Sequence, residues 1–266
     1  MHFVPINYSD PDFNSANTAD FQLLVFLNPD TFSYAVRHAK TNKLVRVSTN
    51  SPLNQLFESS VHSETLNLSY QKLIIAAESN SFCLIPDAVF TDENLADYAA
   101  FLLIKEADAV LKDQIENGEN TVIFIFPEHI LRKIESKFNT TEILFAPKSW
   151  IKTVLKKQPS SQNLYLFLEK NQLQVLYPEQ HKIRFYNQFL ISTLDELVYF
   201  TALVADQLNL KPEETTIVIS GRIEANGEQM LRLKEFFKDV ILFTLTNFMP
   251  ENGLPQHQVI QFLGLN

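Results

Sequence analysis

The sequence predicts an α/β protein built from two halves that share one order of elements. Three extended segments followed by a helix occur twice, first from Phe21 and again from Asn163. After each set, short segments that are apolar on both faces alternate with helices, a pattern typical of parallel strands covered by helices. With 266 residues, the chain is long enough for two such halves.

The first half is predicted to span residues 21–160 and to follow a polar, loosely held leader, residues 1–20. A segment rich in large apolar residues predicts the first of its three strands, alternating apolar residues predict the other two, and Asn28-Pro29-Asp30 predicts the first turn between them. Ser51-Pro52 has the cap and proline typical of a helix start, with Leu53, Leu56 and Phe57 on one face. The predicted elements are strands at 21–28, 31–39, 43–49, 121–126 and 142–146, and helices from Ser51, Pro127 and Pro147.

Residues 62–120 have no counterpart in the second half and predict an inserted α+β subdomain. Its elements are a strand pair at 68–78 and 82–85, a helix near 93–104 and a strand near 109–116. A turn at Asn117-Gly118-Glu119-Asn120 is expected to close it.

The second half is predicted to span residues 161–266 and to repeat the plan of the first. A tight turn at Lys170-Asn171 joins its first two strands, and Thr193 with Glu196 forms a capping box at the start of a helix. One face of that helix carries Leu197, Val198, Thr201, Val204, Ala205 and Leu208. The predicted strands are 163–169, 172–177, 181–188, 215–220 and 240–245, and a second helix is predicted up to Phe237.

Charge and cysteine content exclude several classes of function. The net charge of −9, with no Lys/Arg run longer than Lys156-Lys157, disfavours nucleic-acid binding. Cys83 is the only cysteine, so the chain has no intrachain disulfide and no cysteine-based zinc site. No histidine lies in a metal-ligand spacing with another histidine or with Cys83. Since no signal peptide and no membrane-length apolar stretch is recognisable, we expect a cytoplasmic protein without membrane insertion.

Glycine is absent from Met1 to Asn117, and the whole chain contains five. Enzymes that grip phosphate with their backbone need residues without a Cβ where the ligand approaches. The glycine-free stretch therefore excludes a Walker loop or a Rossmann fingerprint there.

This order of elements resembles the actin-like ATPase fold, a ribonuclease H-like architecture of two βββαβα-type halves. Sugar kinases, heat-shock chaperones, actin, and pilus-assembly and division ATPases share it. The chain is most similar to an uncharacterised bacterial family, a domain of unknown function with this fold. The resemblance covers about residues 20–250 and implies an internal duplication with a subdomain inserted in the first half.

The resemblance also implies where a nucleotide would bind. In the superfamily each half contributes a hairpin turn with an Asp-x-Gly pattern, whose Asp holds a metal-bound water and whose Gly opens the backbone to phosphate. Here Asn28 stands at the Asp position of the first turn and Asp30 at its Gly position, and Pro29 between them has no N–H. In the second turn, Glu169 replaces the Asp and Asn171 replaces the Gly.

A third family segment, a strand that ends in Gly-Gly and contacts the adenosine, corresponds to residues 217–222. Of that glycine pair only Gly221 is present. It is interpreted either as part of a vestigial nucleotide groove or as an ordinary strand-to-helix turn. No residue is predicted to be catalytic or to bind a metal.

The degenerate turns predict weak or absent ATP binding. An Asp30 carboxylate about 4 Å from a phosphate charge would cost about 4 kcal/mol at an effective dielectric of 20. That is nearly a thousandfold in affinity. We therefore predict no cofactor and a pseudo-ATPase.

The function expected from this sequence is a non-catalytic interaction or scaffold module with an unidentified protein partner. Self-association through the inserted subdomain is left open. The alternative is a divergent ATP-binding protein that uses Mg-ATP and only the second turn with Gly221. A third class is an unrelated α/β enzyme whose site lies on the inserted subdomain.

Overall fold

The structure, a computed structural model, describes residues 5–11, 13–58, 61–115, 119–245 and 254–265. These residues form two units, each of which is organised around its own mixed β-sheet. The N-terminal unit contains the described residues up to Lys148 together with Leu265, and the C-terminal unit contains Ser149–Gly264. The helix from Pro147, which the sequence analysis gave to the first half, falls mostly in the C-terminal unit.

The N-terminal unit contains nine strands and four helices among its described residues. In chain order they are β1 (Asn7–Ser9), β2 (Phe21–Leu27), β3 (Thr31–His38), β4 (Leu44–Pro52), α1 (Asn54–Glu58), α2 (Ser63–Leu66), β5 (Lys72–Ala77), β6 (Phe82–Pro86), α3 (Leu95–Ala99), β7 (Asp108–Ile115), β8 (Asn120–Pro127), α4 (Glu128–Phe138) and β9 (Leu144–Phe145). A short 3₁₀ helix, Asp92–Asn94, precedes α3.

The main sheet of this unit has six strands in the order β1-β4-β3-β2-β5-β9. The predicted meander is confirmed, since β2, β3 and β4 pair antiparallel in succession. Next, β5 joins β2 in parallel, with Leu23 beside Leu73 and Leu27 beside Ala77. Because this pairing aligns the carboxyl ends of β2 and β5, the residues that follow the two strands meet at one corner of the sheet.

The inserted subdomain is an antiparallel sheet of three strands in the order β6-β8-β7. It packs around a small core that contains Ile85, Leu102 and Ile123. The predicted pairing of segment 68–78 with segment 82–85 is wrong, and segment 121–126, predicted to lie outside the inserted subdomain, belongs to its sheet. Segment 68–78 contains β5, which pairs with β2. Segment 121–126 lies in β8, the central strand of the inserted sheet. Runs of apolar residues do not specify a pairing partner, which explains both errors.

Three smaller predictions for this unit need correction or fall outside the structure. Part of the predicted loose leader is a strand, because β1 pairs with the otherwise open edge of β4. Ser51 and Pro52 belong to β4, and the helix starts only at Asn54. The predicted turn at 117–120 lies partly outside the described residues.

The C-terminal unit is built from a five-stranded sheet in the order β12-β11-β10-β13-β14. Its strands pair in the same sequence as β4-β3-β2-β5-β9, with three antiparallel strands followed by two parallel ones. The elements are α5 (Pro147–Lys156), β10 (Asn163–Glu169), β11 (Gln172–Glu179), β12 (Lys182–Leu190), α6 (Leu194–Gln207), β13 (Thr216–Gly221), α7 (Glu228–Lys234), β14 (Asp239–Leu242) and α8 (Gln256–Val259).

Helix α6 confirms the predicted cap and the predicted buried face. The Thr193 hydroxyl accepts a hydrogen bond from the Glu196 N–H at 3.1 Å, and the Glu196 carboxylate accepts one from the Thr193 N–H at 3.2 Å. Five residues of the predicted face are buried, and Leu208 is half-buried against the same core. This face covers one side of the sheet.

A buried C-terminal segment completes this unit, and the sequence analysis predicted no element there. After α8 comes a 3₁₀ turn, Ile260–Phe262, whose Ile260 and Phe262 are buried. Gly264 then packs on α5, where its N–H donates to the Ser149 hydroxyl at 3.0 Å. An added Cβ at Gly264 would lie 1.8 Å from the Ser149 carbonyl oxygen, so only glycine fits.

Candidate functional site

The first predicted phosphate turn joins β2 to β3 and is closed by its own hydrogen bonds. The Asn28 N–H donates to the Thr31 carbonyl at 2.8 Å. The Asn28 side-chain amide donates to the Glu78 carboxylate at 2.9 Å. Glu78 directly follows β5, and its N–H donates to the Leu27 carbonyl at 2.8 Å. Asn28, which stands where the superfamily has its Asp, is therefore hydrogen-bonded to the residue that follows the neighbouring strand β5.

The rest of this turn presents little to a phosphate. Pro29 has no N–H, and the Asp30 carbonyl accepts a hydrogen bond from the Leu53 N–H at 2.9 Å. None of residues 28–31 has a positive φ, so the turn closes without the left-handed backbone that glycine would allow. Asp30 is exposed, so its repulsion of a phosphate lies nearer the value in water, about 1 kcal/mol at 4 Å. The electrostatic penalty of about 4 kcal/mol predicted from the sequence is therefore too large for this exposed carboxylate.

The second predicted turn joins β10 to β11 as a two-residue hairpin loop between the paired residues Glu169 and Gln172. The left-handed residue is Lys170, at φ 51°, while Asn171 is not among the positive-φ residues. Asn171, at the position where the superfamily has glycine, therefore does not supply the left-handed backbone. Both loop residues are exposed, and the Asn171 carbonyl accepts a hydrogen bond from the Ile191 N–H at 2.7 Å.

Glu169, the candidate replacement for the family's Asp, forms an ion pair with Arg222. The distance from Arg222 Nε to Glu169 Oε1 is 2.7 Å, and the two side chains are only 12% and 15% exposed. The pairing follows from the register, because β10 and β13 run parallel with Leu168 beside Gly221. The residues that come next along the chain are Glu169, which ends β10, and Arg222, which directly follows β13. The sequence analysis missed Arg222, although its place directly after Gly221 was a usable signal.

Gly221 is required by the packing of these two strands. Its φ is +92°, and an added Cβ would lie 2.1 Å from the Leu168 carbonyl oxygen. The same carbonyl accepts a hydrogen bond from the Arg222 N–H at 2.6 Å. Of the two interpretations left open from the sequence, these contacts support a structural turn and need no nucleotide to explain the glycine.

The segment after Gly221 is also held by His257 of α8. The distance between His257 Nε2 and the Ile223 carbonyl oxygen is 2.9 Å. Burial lowers the pKa of His257, and the hydrogen bond to Ile223 opposes this effect. Protonation of His257 is therefore less favourable in the folded chain than in the unfolded chain.

We predict that His257 makes the stability of the protein depend on pH. Because the unfolded state takes up this proton first, stability is highest above the ordinary histidine pKa and falls as the pH drops below it. In urea unfolding measured from about pH 8 to about pH 5, His257→Gln should flatten this dependence, since glutamine can donate to Ile223 without titrating. Equal pH slopes for the two proteins would contradict the prediction.

The five predicted site residues are divided between the two units. Asn28 and Asp30 share one turn of the N-terminal unit, and Glu169, Asn171 and Gly221 share one corner of the C-terminal unit. Within the ranges that the structure describes, no three His, Cys, Asp or Glu side chains gather as a metal site would require. None of the helices in the described part of the chain combines the length and apolar character that a membrane crossing needs.

The family described as Protein of unknown function (DUF3822) matches residues 10–240. The chain belongs to this family. Among solved structures, it is similar to a Bacteroides thetaiotaomicron protein with an actin-like ATPase fold and unknown function, at 17% identity and a TM-score of 0.74. That similarity covers 87% of this chain and 93% of the other. The resemblance stated from the sequence is confirmed, and this DUF3822 chain has the actin-like ATPase fold.

A second similar structure is a chain of the PilM-PilN type IV pilus biogenesis complex. Its identity is 8% and its TM-score is 0.57, and the similarity covers 94% of this chain and 98% of that one. At these identities the similarity shows the fold alone. No curated protein matches the sequence.

Proposed function

We propose that this DUF3822 protein is a non-catalytic interaction or scaffold module with a degenerate actin-like ATPase fold. The observation that carries the proposal is the ion pair between Glu169 and Arg222 at 2.7 Å. Glu169 stands where the actin-like superfamily has the Asp that holds a metal-bound water. Its negative charge is already neutralised by Arg222 of the same unit. A metal ion would have to displace a largely buried guanidinium, so these residues do not fit Mg-ATP.

The N-terminal turn supports the same proposal independently. Asn28 is neutral and donates its amide hydrogen to Glu78, so it presents a poor ligand for a magnesium-bound water. Neither Pro29 nor Asp30 is a glycine, so both carry a Cβ where a phosphate would approach the backbone. Both turns lack the chemistry that the fold family uses for ATP.

A protein partner and a bacterial cytoplasmic setting complete the proposal. A chain of similar fold belongs to the PilM-PilN complex, which supports the idea that this architecture can serve protein assembly. A relative of the same fold comes from Bacteroides thetaiotaomicron. The lone Cys83, which has no partner for an intrachain disulfide, accords with a reducing compartment.

Thermal melting with and without Mg-ATP tests the proposal. A ligand present at about 100 times its Kd adds about 2.7 kcal/mol, which raises Tm by roughly 5–10 °C in units of this size. We expect millimolar Mg-ATP to leave Tm unchanged relative to magnesium alone. The alternative, ATP binding through the C-terminal unit, predicts a shift that Glu169→Gln abolishes and that Glu179→Gln, at an exposed carboxylate of the same hairpin, preserves. A rise in Tm with Mg-ATP that is lost in Glu169→Gln and kept in Glu179→Gln would overturn the proposal.

A further inference from the structure

The inserted subdomain carries large apolar side chains on its surface. Phe101 and Leu103 are 80% and 84% exposed, and Val89 and Ile104 are also exposed. We call these four residues the apolar loop surface. Single exposed apolar residues are ordinary, whereas four large ones within sixteen positions of one segment are not.

The backbone beneath the apolar loop surface is fixed by contacts within the subdomain. Leu102, between the two most exposed residues, is buried in the core formed with Ile85 and Ile123. The Leu103 N–H donates to the Ser81 hydroxyl at 3.1 Å. The Tyr98 hydroxyl donates to the Val89 carbonyl at 2.6 Å, which holds Val89 against α3. Phe101 and Leu103 are thus held outward by an anchored loop.

Exposed acidic side chains lie in the same stretch of the chain as the apolar loop surface, and we call them its acidic rim. The exposed acids of this segment are Asp92, Glu93, Asp97 and Glu106. One lysine, the exposed Lys105, lies among them, and Lys112 of β7 is paired with Asp92. The rim is therefore net negative, so it attracts basic groups and repels acidic ones.

We propose that the apolar loop surface docks a basic amphipathic segment of another protein. Large apolar side chains of the partner would cover Phe101 and Leu103, and its Lys or Arg residues would face the acidic rim. A second copy is disfavoured because it would bring two acidic rims together, on chains that each carry a net charge of −9. An anionic membrane is disfavoured for the same reason. This inference rests on the proposed function and assigns it a surface and a partner chemistry.

The test measures binding of a labelled helical peptide made of leucine and lysine, with the leucines on one face, to the full chain. We expect the double variant Phe101→Ser/Leu103→Ser to bind this peptide at least about tenfold more weakly. It keeps the net charge of the wild type, so the loss reports the apolar contact. Glu93→Gln/Asp97→Asn should also weaken binding, and raising the salt concentration should weaken binding to the wild type.

Leu231→Ser is the matched control, because Leu231 is exposed on the C-terminal unit. It should bind the peptide as the wild type does. Equal affinity of the wild type and Phe101→Ser/Leu103→Ser, or equal binding of a leucine–glutamate peptide, would overturn the proposal. So would a dimer in sedimentation, or binding to anionic vesicles, that Phe101→Ser/Leu103→Ser abolishes. If any of these results is obtained and Mg-ATP does not shift Tm, only the proposal about the apolar loop surface is overturned. If Mg-ATP does shift Tm, the proposed function is overturned.

Discussion

Gly221→Ala should lower the free energy of unfolding by about 3–5 kcal/mol. Two causes add: a φ of +92° strains any residue with a side chain, and the new Cβ would lie 2.1 Å from the Leu168 carbonyl oxygen. Relieving that overlap would separate β10 from β13 at their carboxyl ends. It would also disturb the hydrogen bond from the Arg222 N–H to the same carbonyl. Urea unfolding at neutral pH measures the loss.

Gly227→Ala is the matched control for this substitution. Gly227 lies just before α7 at φ −67°, and an added Cβ there would meet its nearest atom at 3.1 Å. We expect a change of at most about 1 kcal/mol. Similar losses for the two variants would contradict a packing role for Gly221. Because Gly221→Ala destabilises the unit itself, loss of nucleotide binding in a Gly221 variant would not identify a binding residue.

The second large effect is expected at the ion pair between Glu169 and Arg222. Glu169→Ala should lower the free energy of unfolding by about 3 kcal/mol, because it leaves the largely buried guanidinium of Arg222 without its carboxylate partner. If Glu169 were instead a functional carboxylate held under electrostatic strain, its removal would stabilise the fold. Urea unfolding separates the two accounts by the sign of the change.

Two further variants sharpen this prediction. Glu169→Leu combined with Arg222→Leu removes both charges and should recover most of the loss, since no charge is left buried. Glu214→Ala breaks the exposed ion pair with Lys211, whose nitrogen–oxygen distance of 2.9 Å is similar. It should leave the unfolding midpoint unchanged, because exposed pairs contribute little. A midpoint shift for Glu214→Ala as large as that for Glu169→Ala would contradict the role assigned to burial.

The meanders of both units were predictable because their signals are local. Continuous or alternating apolar residues mark β2, β3, β10 and β11, and turn residues separate them in sequence. Parallel partners are set by contacts between distant segments, so β5 was misassigned to the inserted subdomain. The contacts of Glu78 with Asn28 and of Arg222 with Glu169 could not be predicted for the same reason. They form only because β5 pairs with β2 and β13 pairs with β10.

The position of Gly221 was predictable, but the reason for it was not. The sequence alone left a nucleotide vestige and a structural turn equally open. The choice depends on the register of β13 with β10, which brings Leu168 against Gly221. Likewise, the sequence indicated a tight turn at Lys170-Asn171 but did not show that Lys170 adopts its left-handed backbone.

Equilibrium dialysis of the full chain against labelled Mg-ATP tests the central claim most directly. At about 1 mM free ATP, a site with a Kd of about 1 mM would be half filled. Because Asn28 and Glu169 are engaged by side chains of their own units, we predict fewer than about one bound ATP per ten chains under these conditions. Saturable binding that approaches one ATP per chain would contradict the claim that both turns have lost the capacity to hold a nucleotide.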